Sequence, residues 1–142
     1  MPMITPLYIL FGINSIPLSK EENLLLETEL FFLVCDELKE IFREQHKEYF
    51  NLTKFTMEEE NTMLESRLIH FIIQDILSTK QYDIEGIAYY TNAHIDILND
   101  VYFGLNKYPS ALLLRKIIEI HREVRQEIYQ KIKQKLVRHL ND

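Results

Sequence analysis

The segment from Ile84 to Ser110 constrains the fold more than any other part of this chain. Its apolar residues have helical spacing on both sides of Asn92, a residue type that tolerates the left-handed backbone conformation of a tight turn. Ala88 is small enough for two helices to cross closely there, and Gly104 suits a left-handed cap after a helix. The segment therefore predicts two short helices, joined by a turn at Asn92 and Ala93 and followed by a stop before a third helix.

The rest of the sequence favours long helices joined by short loops. Only three Gly and four Pro occur among 142 residues, and 46% of the residues are hydrophobic, so apolar material is ample and helix breakers are few. Ser19, Thr56 and Ser110 are typical residues for a helix N-cap. Thr56 and Glu59 also have the spacing of a capping box. We therefore predict an all-α fold.

We predict three parts along the chain. Residues 1–18 form an apolar N-terminal arm, whose β-rich run at residues 7–11 would be a strand or an arm that packs on the body or exchanges between subunits. Residues 19–80 form a helical hairpin that supports the rest of the fold or mediates dimerisation. Residues 81–142 contain the two short helices and an amphipathic C-terminal helix, and the hairpin packs on this module.

Within the hairpin, the apolar spacing predicts one helix from residue 19 to about residue 49, a loop over residues 50–55, and a second helix from residue 56 to about residue 78. The two helices should pair antiparallel because the loop between them is short. The sequence leaves open whether residues 110–140 form one helix or two, since no Gly or Pro interrupts them.

Composition excludes several classes of protein. A single cysteine, Cys35, cannot form an internal disulfide, and the five histidines include no pair four residues apart. No Gly-rich phosphate loop or catalytic motif is present, so we expect no metal, no cofactor and no enzymatic activity. The apolar run over residues 3–13 is too short to span a bilayer, and we expect a cytoplasmic protein without a membrane partner.

The net charge is −6, and the acidic residues are concentrated in the first part of the chain. Residues 1–80 contain 7 Lys and Arg against 14 Asp and Glu, whereas residues 81–142 contain 9 against 8. The segment with the two short helices therefore lies in a nearly neutral half of the chain, although nucleic-acid-binding domains are commonly basic.

The two short helices and the residues after them resemble the Cro/repressor (XRE-like) type of helix-turn-helix over about residues 83–124. The resemblance rests on Ile87-Ala88, Asn92, Leu98, Gly104, Asn106-Lys107 and Pro109-Ser110. It implies sequence-specific binding of double-stranded DNA by a transcriptional regulator that is usually a homodimer. The residues that the resemblance places at or beside the DNA are His94, Ile95, Asp96, Asn99, Asp100, Asn106, Lys107 and Arg115.

The first long helix is apolar on two sides over its first turns. Leu25, Phe31 and Phe32 lie outside its main apolar stripe, which predicts that they contact another subunit or a protein partner. A second function also fits the sequence, namely a protein-interaction module that keeps the helix-turn-helix scaffold without binding DNA. The acidic residues Asp96 and Asp100 on the second short helix favour this alternative.

Overall fold

The computed structural model describes residues 6–11, 19–106 and 109–141. Within these ranges the secondary structure is α-helical without any strand, which confirms the predicted all-α fold. The helices are α1 (Leu7–Leu10), α2 (Lys20–Gln45), α3 (Lys47–Thr53), α4 (Met57–Ser66), α5 (Leu68–Ser78), α6 (Ile84–Thr91), α7 (Ile95–Tyr102), α8 (Ala111–Val124) and α9 (Gln126–Asn141). Each helix in the described ranges is either too short or too polar to span a bilayer.

The chain divides into two compact units. The terminal unit comprises residues 1–38 and 127–142, and the central unit comprises residues 39–126. Helix α2 contributes its N-terminal turns to the first and its last turns to the second. Within the central unit α5 packs against α7 and α8, and the predicted division at residues 18 and 80 stays a prediction.

In the terminal unit, the strand that was one of the alternatives predicted for residues 7–11 is wrong, because the chain forms one helical turn at Leu7–Leu10. Leu7 and Phe11 are buried while Ile9 between them is exposed, whereas a strand would place all three on one face. The ring of Phe11 stacks on that of Tyr129 with centroids 6.3 Å apart. The backbone N–H of Leu7 donates to both carboxylate oxygens of Glu27, at 3.0 and 2.8 Å. Tertiary contacts therefore override the β propensity of this run.

The core of the terminal unit comes from apolar residues at helical spacing on α2 and α9. The buried members are Leu30, Val34, Leu38, Tyr129, Ile132 and Leu136. Lys135 Nζ lies 2.8 Å from Glu37 Oε2, so an ion pair joins the two helices within this unit.

In the central unit, both predicted long helices are interrupted. Helix α2 ends at Gln45, His46 has φ −108° and ψ 18°, and α3 then occupies most of the predicted loop. The ring of His46 packs on that of Phe71 with centroids 4.7 Å apart, and its Nδ1 lies 3.0 Å from the carbonyl oxygen of Phe42. The second helix breaks at Arg67, where φ is −118° and ψ is 15°. No Gly or Pro stands at either break, so the sequence did not indicate them.

The ion pairs between α2 and α4 confirm an antiparallel arrangement for the part of α2 that lies in the central unit. Arg43 Nη1 lies 3.3 Å from Glu60 Oε1, and Lys39 Nζ lies 3.3 Å from Glu65 Oε1. As the residue number falls along α2 it rises along α4, which is the register of two antiparallel helices.

The predicted helix starts are confirmed. Thr56 Oγ1 accepts a hydrogen bond from the N–H of Glu59 at 3.2 Å, and Glu59 Oε1 accepts one from the N–H of Thr56 at 3.1 Å, which completes the capping box. Ser110 Oγ accepts from the N–H of Leu113 at 3.1 Å and caps α8. The sequence left open whether one helix or two follow Ser110. The chain forms two helices, separated at Arg125, where φ is −131° and ψ is 55°.

Candidate nucleic-acid interface

Helices α6 and α7 and the three residues between them have the local structure predicted from the sequence. Asp83 Oδ1 accepts a hydrogen bond from the N–H of Gly86 at 2.7 Å and so caps α6. Asn92 ends α6 in the left-handed conformation, with φ 56° and ψ 33°. The N–H of Ala93 donates to the carbonyl oxygen of Ala88 at 3.0 Å, which closes the turn.

The inward faces of α6 and α7 are apolar and are backed by α5 and α8. Ile87, Ala88, Leu98 and Val101 are all buried. Thr91 is buried as well, and its hydroxyl donates to the carbonyl oxygen of Ile87 at 2.8 Å, so its polar atom is satisfied inside the helix. The two helices are therefore held by a common core that leaves their outward faces for contacts.

The C-terminal end of α7 is closed by a left-handed glycine, as predicted. Gly104 has φ 78°. The N–H groups of Leu105 and Asn106 both donate to the carbonyl oxygen of Asp100, at 2.8 and 3.0 Å. These bonds satisfy a carbonyl that the end of the helix would otherwise leave unpaired.

The N-terminal end of α7 is exposed and capped by His94. The Nδ1 atom of His94 accepts a hydrogen bond from the N–H of Asp96 at 3.1 Å. Oδ2 of Asp96 lies 3.5 Å from the same nitrogen. Both side chains are mostly exposed, at 67% and 82%. The start of α7 therefore presents a polar surface.

The structure brings most of the predicted DNA-contacting residues onto α7 or the loop after it. His94, Asp96 and Asp100 are exposed, whereas Ile95, Asn99 and Asn106 are half-buried. Lys107 lies outside the described residues.

Arg115 requires a correction, because the sequence placed its side chain at the DNA and the structure buries it. Its exposed fraction is 8%. Helix α8, which carries Arg115, packs against both α5 and α6. We therefore leave Arg115 out of the candidate interface.

Lys116 lies close to the turn, although the predicted set did not include it. Its Nζ donates to the carbonyl oxygen of Thr91 at 3.1 Å, at the C-terminal end of α6. A cation is favoured there because the helix dipole places partial negative charge at that end. Its partner is 25 residues away along the chain, so the spacing of residues in the sequence does not reveal this contact.

Two tyrosines on the α6 side remain protonated at neutral pH. Burial raises the pKa of Tyr90, and the nearby carboxylates of Glu119 and Glu123 raise it further. Burial and Glu123 also raise the pKa of Tyr82, whose hydroxyl donates to Glu123 Oε2 at 3.2 Å. These phenols therefore act as neutral hydrogen-bonding groups beside acidic side chains.

The outward surface around α7 also carries large apolar side chains. Tyr89 is 90% exposed and Leu105 is 78% exposed, and Ile97 and Phe103 are exposed as well. Exposed large apolar side chains, where they form a contiguous patch, are characteristic of surfaces that contact another molecule.

The residues predicted to form a subunit interface lie on α2 in the terminal unit. Leu25 and Phe32 are exposed and Phe31 is half-buried. Leu24 is a further exposed apolar residue on the same turns.

Among the described residues, no three His, Cys, Asp or Glu side chains are grouped in a way that could bind a metal ion. Comparison with models of protein families, with curated proteins and with solved structures gives no match for this chain.

Proposed function

We propose that α6 and α7 form a helix-turn-helix that binds double-stranded DNA, and that the protein is a small transcriptional regulator. The observation that carries the proposal is the geometry of the turn. A left-handed Asn92 and a three-residue connection redirect the chain, while the shared core with α5 and α8 leaves the first turn of α7 exposed. In proteins with this motif, residues at the start of the second helix reach base edges in the major groove.

The half-buried Asn99 and the exposed Asp100 on α7 have hydrogen-bonding groups that can read bases. An asparagine such as Asn99 can pair with the N6 and N7 atoms of adenine, and an aspartate such as Asp100 can accept from the amino group of cytosine. Asn106 and Lys107 follow the helix, where contacts to phosphate position such a motif.

The acidic residues of α7 make salt dependence an essential part of the test. Asp96 and Asp100 repel phosphate, so binding requires cations that neutralise the backbone on either side of the groove. If a bound dimer neutralises about six phosphates, its affinity falls by roughly a thousandfold between about 50 and 200 mM salt. Binding without such a decrease would not be that of a helix-turn-helix on DNA.

The decisive experiment is fluorescence anisotropy of the purified protein with fragmented genomic DNA from its own source, at two salt concentrations. Salt-sensitive binding that enriches particular fragments would support the proposal and supply the recognised sequence. Absence of binding at low salt would refute it.

A matched pair of variants tests the orientation on DNA. Lys107→Glu places a negative charge where the resemblance expects a phosphate contact and should abolish binding. Lys47→Glu makes the same change at an exposed position on α3 and should leave specific binding nearly unchanged. Equal losses in the two variants would indicate a net-charge effect and contradict the proposed orientation. Helical content, followed by circular dichroism, should be the same in both.

One observation favours a second candidate function, the binding of a protein partner through α7. The exposed residues Ile97, Phe103 and Leu105 accompany Asp96 and Asp100, and a surface that is both apolar and acidic suits a partner with basic and apolar side chains. A photo-crosslinking amino acid placed at Ile97 in living cells separates the two functions. Crosslinks to DNA support the first, and crosslinks to one protein of defined mass support the second. The same amino acid at Lys47 is the control.

We also propose that the protein is a homodimer through the exposed apolar turns of α2. Leu25 and Phe32 are large apolar side chains on a helix whose opposite stripe is already buried. A two-fold interface uses one patch twice, so a single exposed helix face is sufficient to form it. Because a dimer contains two copies of α7, it would make twice as many contacts to phosphate as a single chain.

A further inference from the structure

The central unit contains a pocket of about 290 Å³ at the C-terminal end of α7. One side of the pocket is formed where α4 meets α5, by Arg67 and His70. The other side is formed by the end of α7 and the loop after it, including Val101, Phe103 and Asn106. The volume is at the lower end of the range of small-molecule sites, so only a small ligand would fit.

Arg67 gives the pocket a cation. Its side chain is exposed, and it makes no hydrogen bond or ion pair with any residue in the described ranges. A guanidinium remains charged at all physiological pH values and presents a planar set of donors that matches a carboxylate in two parallel hydrogen bonds. An anionic group of a ligand is therefore the natural partner for this side chain.

His70 is held in one orientation beside Arg67. Its Nδ1 lies 2.6 Å from the carbonyl oxygen of Tyr102, and because a carbonyl can only accept, Nδ1 carries the hydrogen. The imidazole also stacks on the ring of Tyr102, with centroids 4.8 Å apart. Its Nε2 has no partner within the described part of the chain and is available to a polar group of a ligand.

The remaining wall of the pocket is apolar. Ile69 and Val101 are buried, while Phe103 is exposed. A purely inorganic anion would leave these side chains without contacts, whereas an organic acid could place an aromatic or aliphatic group against them.

We propose that this pocket binds a small organic anion, with its carboxylate on Arg67 and its apolar part against Val101 and Phe103. The ligand would contact the end of α7 and the loop that contains Gly104. The pocket is formed by this chain alone, so the proposal does not rest on the proposed DNA binding.

The test is an NMR titration of the uniformly ¹⁵N-labelled full chain with sodium benzoate, which combines a carboxylate with one aromatic ring. We expect shifts centred on the amides of residues 66–70 and 101–106. Benzyl alcohol, which has the ring without the charge, should bind much more weakly. Inorganic phosphate, which has the charge without the ring, should also bind more weakly.

Two variants assign the contacts, and a third is the control. Arg67→Gln should weaken benzoate binding by about tenfold or more, since losing a charge-assisted hydrogen bond lowers affinity by at least about that factor. Phe103→Gln should weaken benzoate binding but leave the weak phosphate binding unchanged. Arg122→Gln removes the same charge from α8 away from the pocket and should bind as the wild type does. Thermal unfolding without ligand shows whether each variant is folded.

The proposal is overturned if benzoate causes no shifts, if the shifts lie elsewhere, or if Arg67→Gln binds as tightly as the wild type. It is also overturned if phosphate binds as tightly as benzoate with the same dependence on Arg67, because the apolar wall would then contribute nothing.

Discussion

Nε2 of His121, which is fully buried, lies 2.7 Å from Oδ2 of Asp75. Arg125 donates two further hydrogen bonds to the same carboxylate, from Nε at 3.1 Å and from Nη2 at 3.2 Å. Burial alone would raise the pKa of Asp75, but the hydrogen bonds and charges of His121 and Arg125 more than offset it and hold that pKa below its usual range. This carboxylate therefore ties the end of α8 to α5.

Replacing the carboxylate should cost substantial stability. We expect Asp75→Asn to lower the free energy of unfolding by about 2 to 4 kcal/mol, because His121 is left buried with a weaker partner and Arg125 loses its counter-charge. Glu65→Gln breaks an exposed ion pair with Lys39 and should cost less than about 1 kcal/mol. Urea unfolding of both variants measures the difference, and equal costs would contradict the structural importance of the Asp75 cluster.

The contribution of Asp75 to stability should depend on pH in a defined direction. Its pKa in the folded protein is lowered, whereas an aspartate in the unfolded chain has a pKa of about 3.9. The carboxylate therefore stabilises the fold fully above about pH 4, and that contribution is lost as the pH falls further through the folded-state pKa. Urea unfolding at a series of pH values from 6 to 3 should show the gap between wild type and Asp75→Asn narrowing below about pH 4. A gap that widens there would refute the assignment.

The left-handed turn at Asn92 should accept glycine and reject a β-branched residue. Asn92→Val should lower the free energy of unfolding by about 1 to 2 kcal/mol, since valine resists positive φ, while Asn92→Gly should be nearly neutral. Asn51→Val, at an exposed position in α3, is the control, because asparagine and valine have similar helix propensities. Chemical denaturation of the three variants measures these changes in the free energy of unfolding. A loss as large in Asn51→Val would show that the backbone conformation at Asn92 is not the cause.

The proposed dimer should dissociate when a charge is placed on the exposed face of α2. Phe32→Glu should reduce the mass measured by light scattering from that of two chains to that of one, because a buried carboxylate without a partner strongly disfavours the interface. Leu52→Glu makes a comparable change at an exposed apolar residue on α3 and should leave the mass unchanged. A wild-type protein that already has the mass of one chain would refute the dimer.

Much of the candidate interface could be predicted because its features are local. The Asn92 turn and the Gly104 closure each involve atoms within about five residues, and such short-range patterns are visible in sequence. The cap by His94 was not predicted, because histidine is not among the usual N-cap residues. Arg115 could not be placed in the same way. Whether a helical arginine faces solvent or the core depends on the tertiary packing of its helix, and Arg115 is buried here.

The sequence by itself determined the helical class, the helix starts and the positions of the turn and closure around α7, since these follow from hydrogen bonds and backbone preferences of neighbouring residues. Only the tertiary structure decided the helical form of residues 7–10, the breaks at His46 and Arg67, and the grouping of α5 with α7 and α8. The tertiary structure also decided which side chains bind the Asp75 carboxylate. These are His121 and Arg125, which lie 46 and 50 residues away along the chain. Such contacts form because burial brings distant segments together, and no local pattern specifies which segments will meet.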